Sequence, residues 1–245
     1  MEPIASHIDP EALRASLESH RRSPPEADPV KDITRVLLLA TEVFSVSGLG
    51  LMLLDPEGVE LRYIASTDGS ARDLERSQEE VGEGPCIEAF VRGSVVGTHD
   101  LLSDDRWPRL KRHLPREGIR AVLGLPTEVS GETVGTLNAY SMEPHPWDDG
   151  DVGALEAYNE VLEGRLGAAM LADRQGQLVE QLRSALDSRA SIERAIGYIM
   201  GREGLDPVTA FNRVRVAARS SRRPVADVAS EVLEGLVPPE QRHRT

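Results

Sequence analysis

The 245-residue chain carries 28 Lys and Arg against 41 Asp and Glu, a formal net charge of −13, and a single cysteine. One cysteine excludes a disulfide framework and a cysteine-rich zinc site and fits a reducing cytosol, while the acidity opposes polyanion binding by the surface as a whole. The length exceeds a typical domain, no apolar run is long enough to span a membrane and the acidic start does not read as a signal peptide, so two domains joined by a helix in a soluble cytoplasmic protein are expected.

Residues 1–28 offer one helix, opened by Asp9 and Pro10 and ended near Ser23, Pro24 and Pro25. Its apolar face is thin. Leu13 and Leu17 suit packing on the main domain or on a second subunit, and a loosely docked extension fits equally well.

Residues 29–148 read as an α+β domain. Ile33, Val36, Leu37, Ala40 and Phe44 give Val30 to Val46 a helical stripe, and Gly48 releases the chain into a strand over Leu49 to Leu54. A turn over Asp55 to Gly58 returns it as a strand from Val59 to Ser66. Gly84 and Pro85 start a short helix through Cys86, Val95 and Val96 suggest a brief strand, and Trp107 to Glu117 another helical segment. Arg120 to Val129 and Thr133 to Tyr140 flank Ser130, Gly131 and Glu132 as a clear hairpin. Hairpins interleaved with helices predict an antiparallel sheet with flanking helices.

Gly84, Pro85, Cys86, Asp100, Trp107, Pro126, Gly135 and Asn138, in that order, resemble a GAF domain of the type attached to ANTAR modules in actinobacterial proteins. The likeness covers about half of the chain and implies a fold for small-molecule sensing or dimerisation, hence a pocket whose ligand is unknown. Cys86 admits two readings. A thiol at a helix N-terminus can have a lowered pKa and serve redox or ligand chemistry, or it can be a small buried hydrophobe.

Residues 149–184 predict a connecting helix, its pattern continuing to Asp187. Leu155, Leu162 and Ala169 recur at seven, as do Leu171, Leu178 and Ala185, with a shift of phase between the sets. This suggests a broken coiled-coil seam between two copies; the alternative is an amphipathic helix lying on its own sheet. Gly153, Gly164, Gly167 and Gly176 weaken an isolated helix by up to about 1 kcal/mol each, so packing must help to hold it.

Residues 185–236 predict a three-helix module, followed by a tail over 237–245. Ile192, Ala195, Ile196, Ile199 and Met200 form one stripe. Asp206 and Pro207 start a second helix with Phe211, Val214 and Ala218 inward, and Pro224 opens a third with Val225, Val228, Ala229, Val232, Leu233 and Leu236. Arg194, Tyr198 and Arg202, then Asn212, Arg215 and Arg219, occupy the other faces. Residues 1–180 hold 17 basic against 33 acidic side chains, whereas 181–236 hold 9 against 7, so the basic end sits on a repulsive body.

The string ALDSRASIERAIGYIMGREGLDPVTAFNRVRVAARSSRRPVADVASEVL resembles the ANTAR domains of bacterial transcription antitermination regulators, through Ala195, Gly197, Ile199, Met200, Ala210, Phe211, Ala217, Asp227, Val228 and Ala229. The resemblance implies binding of a two-stem-loop messenger leader with six-nucleotide loops, so that an intrinsic terminator cannot form. Ile196 stands where the family usually has Lys, which removes a cation. On this reading Arg194, Arg202, Arg215, Arg219, Arg222 and Arg223 meet phosphate and Tyr198 stacks on a loop base. The alternative for these arginines is a solvated helix face.

Catalytic patterns are missing from the sequence. His7, His20, His99, His113, His145 and His243 show no metal-ligand spacing, Gly82-Glu83-Gly84 lacks the rest of a dinucleotide or phosphate loop, and no serine sits in a nucleophile elbow. The expected function is therefore binding, without enzyme activity or cofactor: a homodimeric, signal-responsive RNA-binding antitermination regulator. A ligand-responsive DNA-binding regulator and a protein-interaction module are the alternatives.

Overall fold

The structure, a computed structural model, describes residues 8–44, 46–55, 61–114, 118–172 and 176–235. The turn expected after Asp55, the end of the segment expected to Glu117, Leu236 and the C-terminal tail therefore lie outside or partly outside the described residues.

Among the described residues five strands form one antiparallel sheet: β1 (Gly48–Leu54), β2 (Leu61–Ser66), β3 (Val96–Thr98), β4 (Ala121–Val129) and β5 (Glu132–Ser141), in the order β2-β1-β5-β4-β3. Every residue of β1 is buried, as its unbroken apolar run requires of a strand covered on both sides. Ser130 and Gly131, both at positive φ (57° and 81°), make the tight turn of the β4–β5 hairpin. Gly135 sits where β5 meets β1, and a Cβ there would collide with the Met52 carbonyl and the Leu53 side chain.

One face of the sheet is covered by α2 (Pro29–Phe44) and α6 (Asp149–Leu171), with α1 (Pro10–Arg22) packed across both. The other carries α3 (Gly69–Val81) and α4 (Pro85–Arg92), with α5 (Pro108–His113) against α3. α1 is capped by Asp9, which accepts from the Glu11 amide at 2.9 Å. It is firmly docked: Tyr158 donates to Ser16 at 2.6 Å, Leu17 and His20 are buried, and Arg165 donates to the Ser23 carbonyl at 2.8 Å while pairing with buried Asp32 at 3.4 Å. Asp148 and Asp151 close a capping box at the start of α6.

The stretch expected as one helix from Asp149 to Asp187 is divided. α6 stops at Leu171 with Ala172 as its cap, and α7 (Gln177–Glu203) starts after Gly176, whose backbone is extended (φ 176°, ψ 158°). Gly is a poor helix former, which weakens the helix at this point. Leu155, Leu162 and Ala169 are buried within their own chain, as are Leu178 and Ala185, whereas Leu171 is 89% exposed. The heptad positions thus serve the alternative arrangement, helices lying on their own sheet domain.

α3 has no counterpart in the sequence reading. Its buried side chains include Leu74, Glu75 and Gln78, two of the three polar, so no apolar period marks it. α7 then crosses from the sheet, where Gln181 donates to the Leu53 carbonyl at 3.2 Å, into the C-terminal bundle with α8 (Pro207–Ser221) and α9 (Val225–Glu234). The expected inward residues fill that bundle: Ile192, Ala195, Ile199, Phe211, Val214, Ala218, Val225, Val228 and Ala229 are all buried.

Candidate nucleic-acid interface and sensor site

The residues expected to contact RNA divide into two groups. Arg194, Arg202, Arg219, Arg222 and Arg223 are exposed and Tyr198 is half-buried. Arg202 stacks on Tyr198, its guanidinium carbon 5.0 Å from the ring centroid, and also pairs with Glu203, which holds Arg213 as well. Arg223 pairs with Glu231 at 2.5 Å. Arg222 lies in the left-handed region (φ 54°) where it ends α8, with its side chain projecting to solvent.

Arg215 is different. It is buried to 5% exposure, and its Nη1 donates to the Glu79 carbonyl at 2.6 Å while its Nε donates to Asn212 Oδ1 at 3.2 Å. Asn212 in turn donates to the Gly82 carbonyl at 2.5 Å. Both acceptors belong to the last turn of α3 and the residue after it, where carbonyls lack helical partners and a cation is favoured by the helix dipole. Next to them Phe211 packs edge-on against Phe90 of α4, centroids 6.0 Å apart. Arg189, 2% exposed, lies over the same Phe90 ring at 4.4 Å and is bonded to Glu193 at 2.7 Å; burial lowers its pKa. Asn212 and Arg215, two of the three α8 residues on the face assigned to RNA, are thus docked on the sheet domain, while Arg219 stays exposed. A charged donor on a carbonyl contributes about 1.5–3 kcal/mol and an aromatic pair about 0.5–1.5 kcal/mol beyond its area, so this docking amounts to a few kcal/mol.

Ile196 is 6% exposed. Its side chain belongs to the buried stripe, so its place in the sequence is filled by packing rather than by an exposed cation.

Beneath α3 lies a polar cluster that the sequence reading missed. Glu75 and Gln78 of α3, Asn138 and Thr136 of β5 and Cys86 of α4 are all buried, with Asn138 beside Glu75. Gln78 reads Cys86 twice, accepting from its backbone amide and donating to its sulfur, each at 2.9 Å. Both oxygens of Glu75, the carboxamide of Asn138 and the hydroxyl of Thr136 are without hydrogen-bonding partners among the described residues. Burial pushes the Glu75 carboxyl up to about 8, the nearby Asn138 amide and Arg72 charge opposing it only in part. Cys86 is corrected in one respect: burial raises its pKa, and the helix start does not offset this. It is fully buried, the situation of a small hydrophobe.

A charged cleft of about 340 Å³ opens between the sheet domain and the bundle, lined by Glu83, Glu88, Arg92, Arg106, Arg109 and Asn212 among others. Its cations are answered locally: Arg92 by Glu88 at 2.7 Å, Arg106 by Asp104 at 2.7 Å and Arg109 by Glu83 at 2.8 Å. No helix among the described residues is long and apolar enough to cross a membrane.

A family model for the GAF domain matches residues 30–166, more than half of the chain. The chain belongs to the GAF family. A model for the ANTAR domain matches residues 180–233. GAF is therefore the domain of the sheet, and ANTAR is the module built by α8, α9 and most of α7. Together they make the composition of a signal-responsive regulator. Among solved structures, the GAF domain of a phosphoenolpyruvate-protein phosphotransferase from Acinetobacter aligns at a TM-score of 0.53 and 16% identity, over 68% of this chain and 96% of that one. The free methionine-R-sulfoxide reductase from Neisseria meningitidis, solved with its substrate, aligns at 0.52 and 19% over 70% and 99%. The GAF domain of the phosphotransferase from Coxiella burnetii aligns at 0.51 and 18% over 66% and 95%. At these identities the likeness is one of fold. No curated protein matches the chain.

Proposed function

We propose that this GAF–ANTAR protein is a cytoplasmic antitermination regulator that binds paired stem-loops in nascent messenger RNA and keeps an intrinsic terminator from forming. The observation that carries this is a set of exposed arginines, Arg194, Arg202, Arg219, Arg222 and Arg223, on a module that matches the ANTAR family and stands on an acidic body. Arginine pairs with phosphate and stacks on unstacked bases, which suits single-stranded loops. Tyr198 is half-buried, and Arg202 already covers its ring; in the RNA complex a loop base replaces or extends that stack.

On the sensor side, the proposed ligand is a small polar molecule that hydrogen-bonds Glu75 and Asn138, which lie side by side beneath α3. Two copies acting together match a target of two stem-loops, because linking the two contacts raises the effective concentration of the second. Since Leu155 and Leu162 are buried within the chain, the dimer forms through other surfaces, and α2 exposes Leu38 and Leu39.

The test is binding of the full-length protein to a labelled two-stem-loop RNA with six-nucleotide loops, against a loop-scrambled RNA and a DNA duplex of the same sequence, over a salt series. Loop-dependent binding that weakens with salt supports the reading. Preference for the duplex makes the protein a DNA-binding regulator, and failure to bind any of the three leaves the ANTAR module without a nucleic-acid role.

A further inference from the structure

We infer that the end of α3 is a latch that holds the RNA-facing side of α8 closed, so that RNA and the GAF domain compete for Arg215 and Asn212. The inference rests on the proposed RNA function and adds its regulation. Four observations on different residues converge on it. Arg215 is as buried as a core residue and is held by a main-chain carbonyl of the GAF domain. Asn212, on the same face of α8, holds a second such carbonyl, at Gly82. Gly82 itself has φ of 70°, and any side chain there would collide with Arg215 Nη2 and Asn212 Oδ1, so the missing Cβ makes room for the arginine. Phe211 completes the contact on Phe90.

The latch also has a connection to the sensor core. Gln78, which binds Cys86 at both ends of its amide, is the residue whose carbonyl accepts from the Gly82 amide at 2.8 Å. Glu75 lies one turn earlier on the same helix and is likewise buried. The helix that carries Glu75 and Gln78 on its buried side thus presents the latch carbonyls at its end. A ligand that pairs Glu75 acts on the same helix whose end presents both acceptors, so one that favours a shifted α3 disfavours the contacts with α8. Such a ligand favours the open module only through a difference in its affinity for the two states. In the closed state Arg194, Arg202, Arg219, Arg222 and Arg223 remain exposed, so closure weakens RNA binding and does not abolish it.

Gly82→Ala tests the latch from the GAF side and leaves every residue of the ANTAR module in place. Two readouts are needed on the full-length chain: affinity for the two-stem-loop RNA, and reaction of each arginine with phenylglyoxal, mapped by mass spectrometry. The expected result is that Arg215 reacts at least about tenfold more slowly than Arg219 in the native protein, reacts comparably in Gly82→Ala, and that the variant binds RNA about tenfold more tightly, as removal of a closed majority state requires. A native Arg215 as reactive as Arg219, or a variant that exposes Arg215 without gaining RNA affinity, overturns the inference. Should the variant not fold, hydrogen exchange of the native protein decides: RNA has to speed exchange over 79–83 while protecting α8, and RNA binding without that change overturns the latch. If the native protein and the variant both fail to bind RNA, the proposed function fails and the closure of an RNA face with it. That outcome is told apart from a missing latch by Arg215, which stays slow in the native protein and quickens in the variant.

Discussion

Glu75→Gln isolates the energetic weight of the buried carboxyl in the GAF core. In the folded protein its pKa is pushed from 4.5 up to about 8, because burial disfavours the charge by more than the Asn138 amide and the Arg72 charge favour it. Below the unfolded pKa both states hold the proton and the stability is intact. Between that value and about 8 the unfolded chain releases the proton and the native chain keeps it, so stability falls with rising pH by about 1.4 kcal/mol per unit. By pH 7.5 the accumulated loss is about 4 kcal/mol, a large part of the stability of an ordinary domain. Gln has nearly the same shape, cannot ionise and supplies a donor to Asn138. Urea unfolding of both proteins from about pH 5 to about pH 8 measures the difference directly, since the other titrating groups cancel between them. The variant should gain on the parent steadily as pH rises. Parallel stability profiles would refute the placement of an ionisable, unpaired carboxyl beneath α3.

Other perturbations address the remaining parts. Gly135→Ala drives a Cβ into the Met52 carbonyl where β1 and β5 pair, and should cost about 3 kcal/mol in the same unfolding assay, with no loss contradicting the strand register. Arg165→Ala leaves buried Asp32 with only the more distant Arg35, at 3.9 Å, and removes a donor to the Ser23 carbonyl; about 3 kcal/mol should be lost and proteolysis over 23–28 should quicken, against an unchanged cleavage pattern if α1 is held by other contacts. Cys86, buried with a raised pKa, should react with a maleimide only as fast as the fold opens, so that labelling at the rate of the unfolded chain contradicts its position. Arg215→Ala with Arg219→Ala should flatten the salt dependence of RNA binding by about one to two phosphate contacts; an unchanged slope removes both from the interface.

Much of this architecture was legible because the relevant residues follow a period or a cap. The run of apolar residues in β1, the hairpin around Ser130 and Gly131, and the Asp206–Pro207 start of α8 each announce themselves locally. α3 stayed hidden because Glu75 and Gln78 occupy its buried face, and a polar buried face looks like a solvated one in sequence. The same ambiguity affected Arg215. Its spacing with Arg219 marks one side of a helix, but spacing carries no information on whether that side meets water, RNA or another domain, and here a carbonyl at Glu79 holds it. The division at Gly176 is a further case: seven-residue recurrences on either side describe which residues are buried, and helices folded back on their own sheet satisfy them as well as a coiled coil would. Of the residues quoted for the GAF likeness, Asp100 and Trp107 hold the fold, through a two-bond pair with Arg120 at 2.7 Å and a bond to Glu88 at 3.1 Å. Asn138 is different in kind, lying unpaired in the proposed ligand site.

The central claim, that RNA is held by the arginine-bearing face of the ANTAR module, is tested most directly by photocrosslinking. The two-stem-loop RNA would carry 4-thiouridine in its loops, and crosslinked residues of the full-length protein would be identified by mass spectrometry. Crosslinks confined to Arg194–Arg202 on α7 and to Asn212–Arg223 on α8, and lost with scrambled loops, are the predicted result. Crosslinks spread over the GAF domain, or indifferent to the loop sequence, would contradict it.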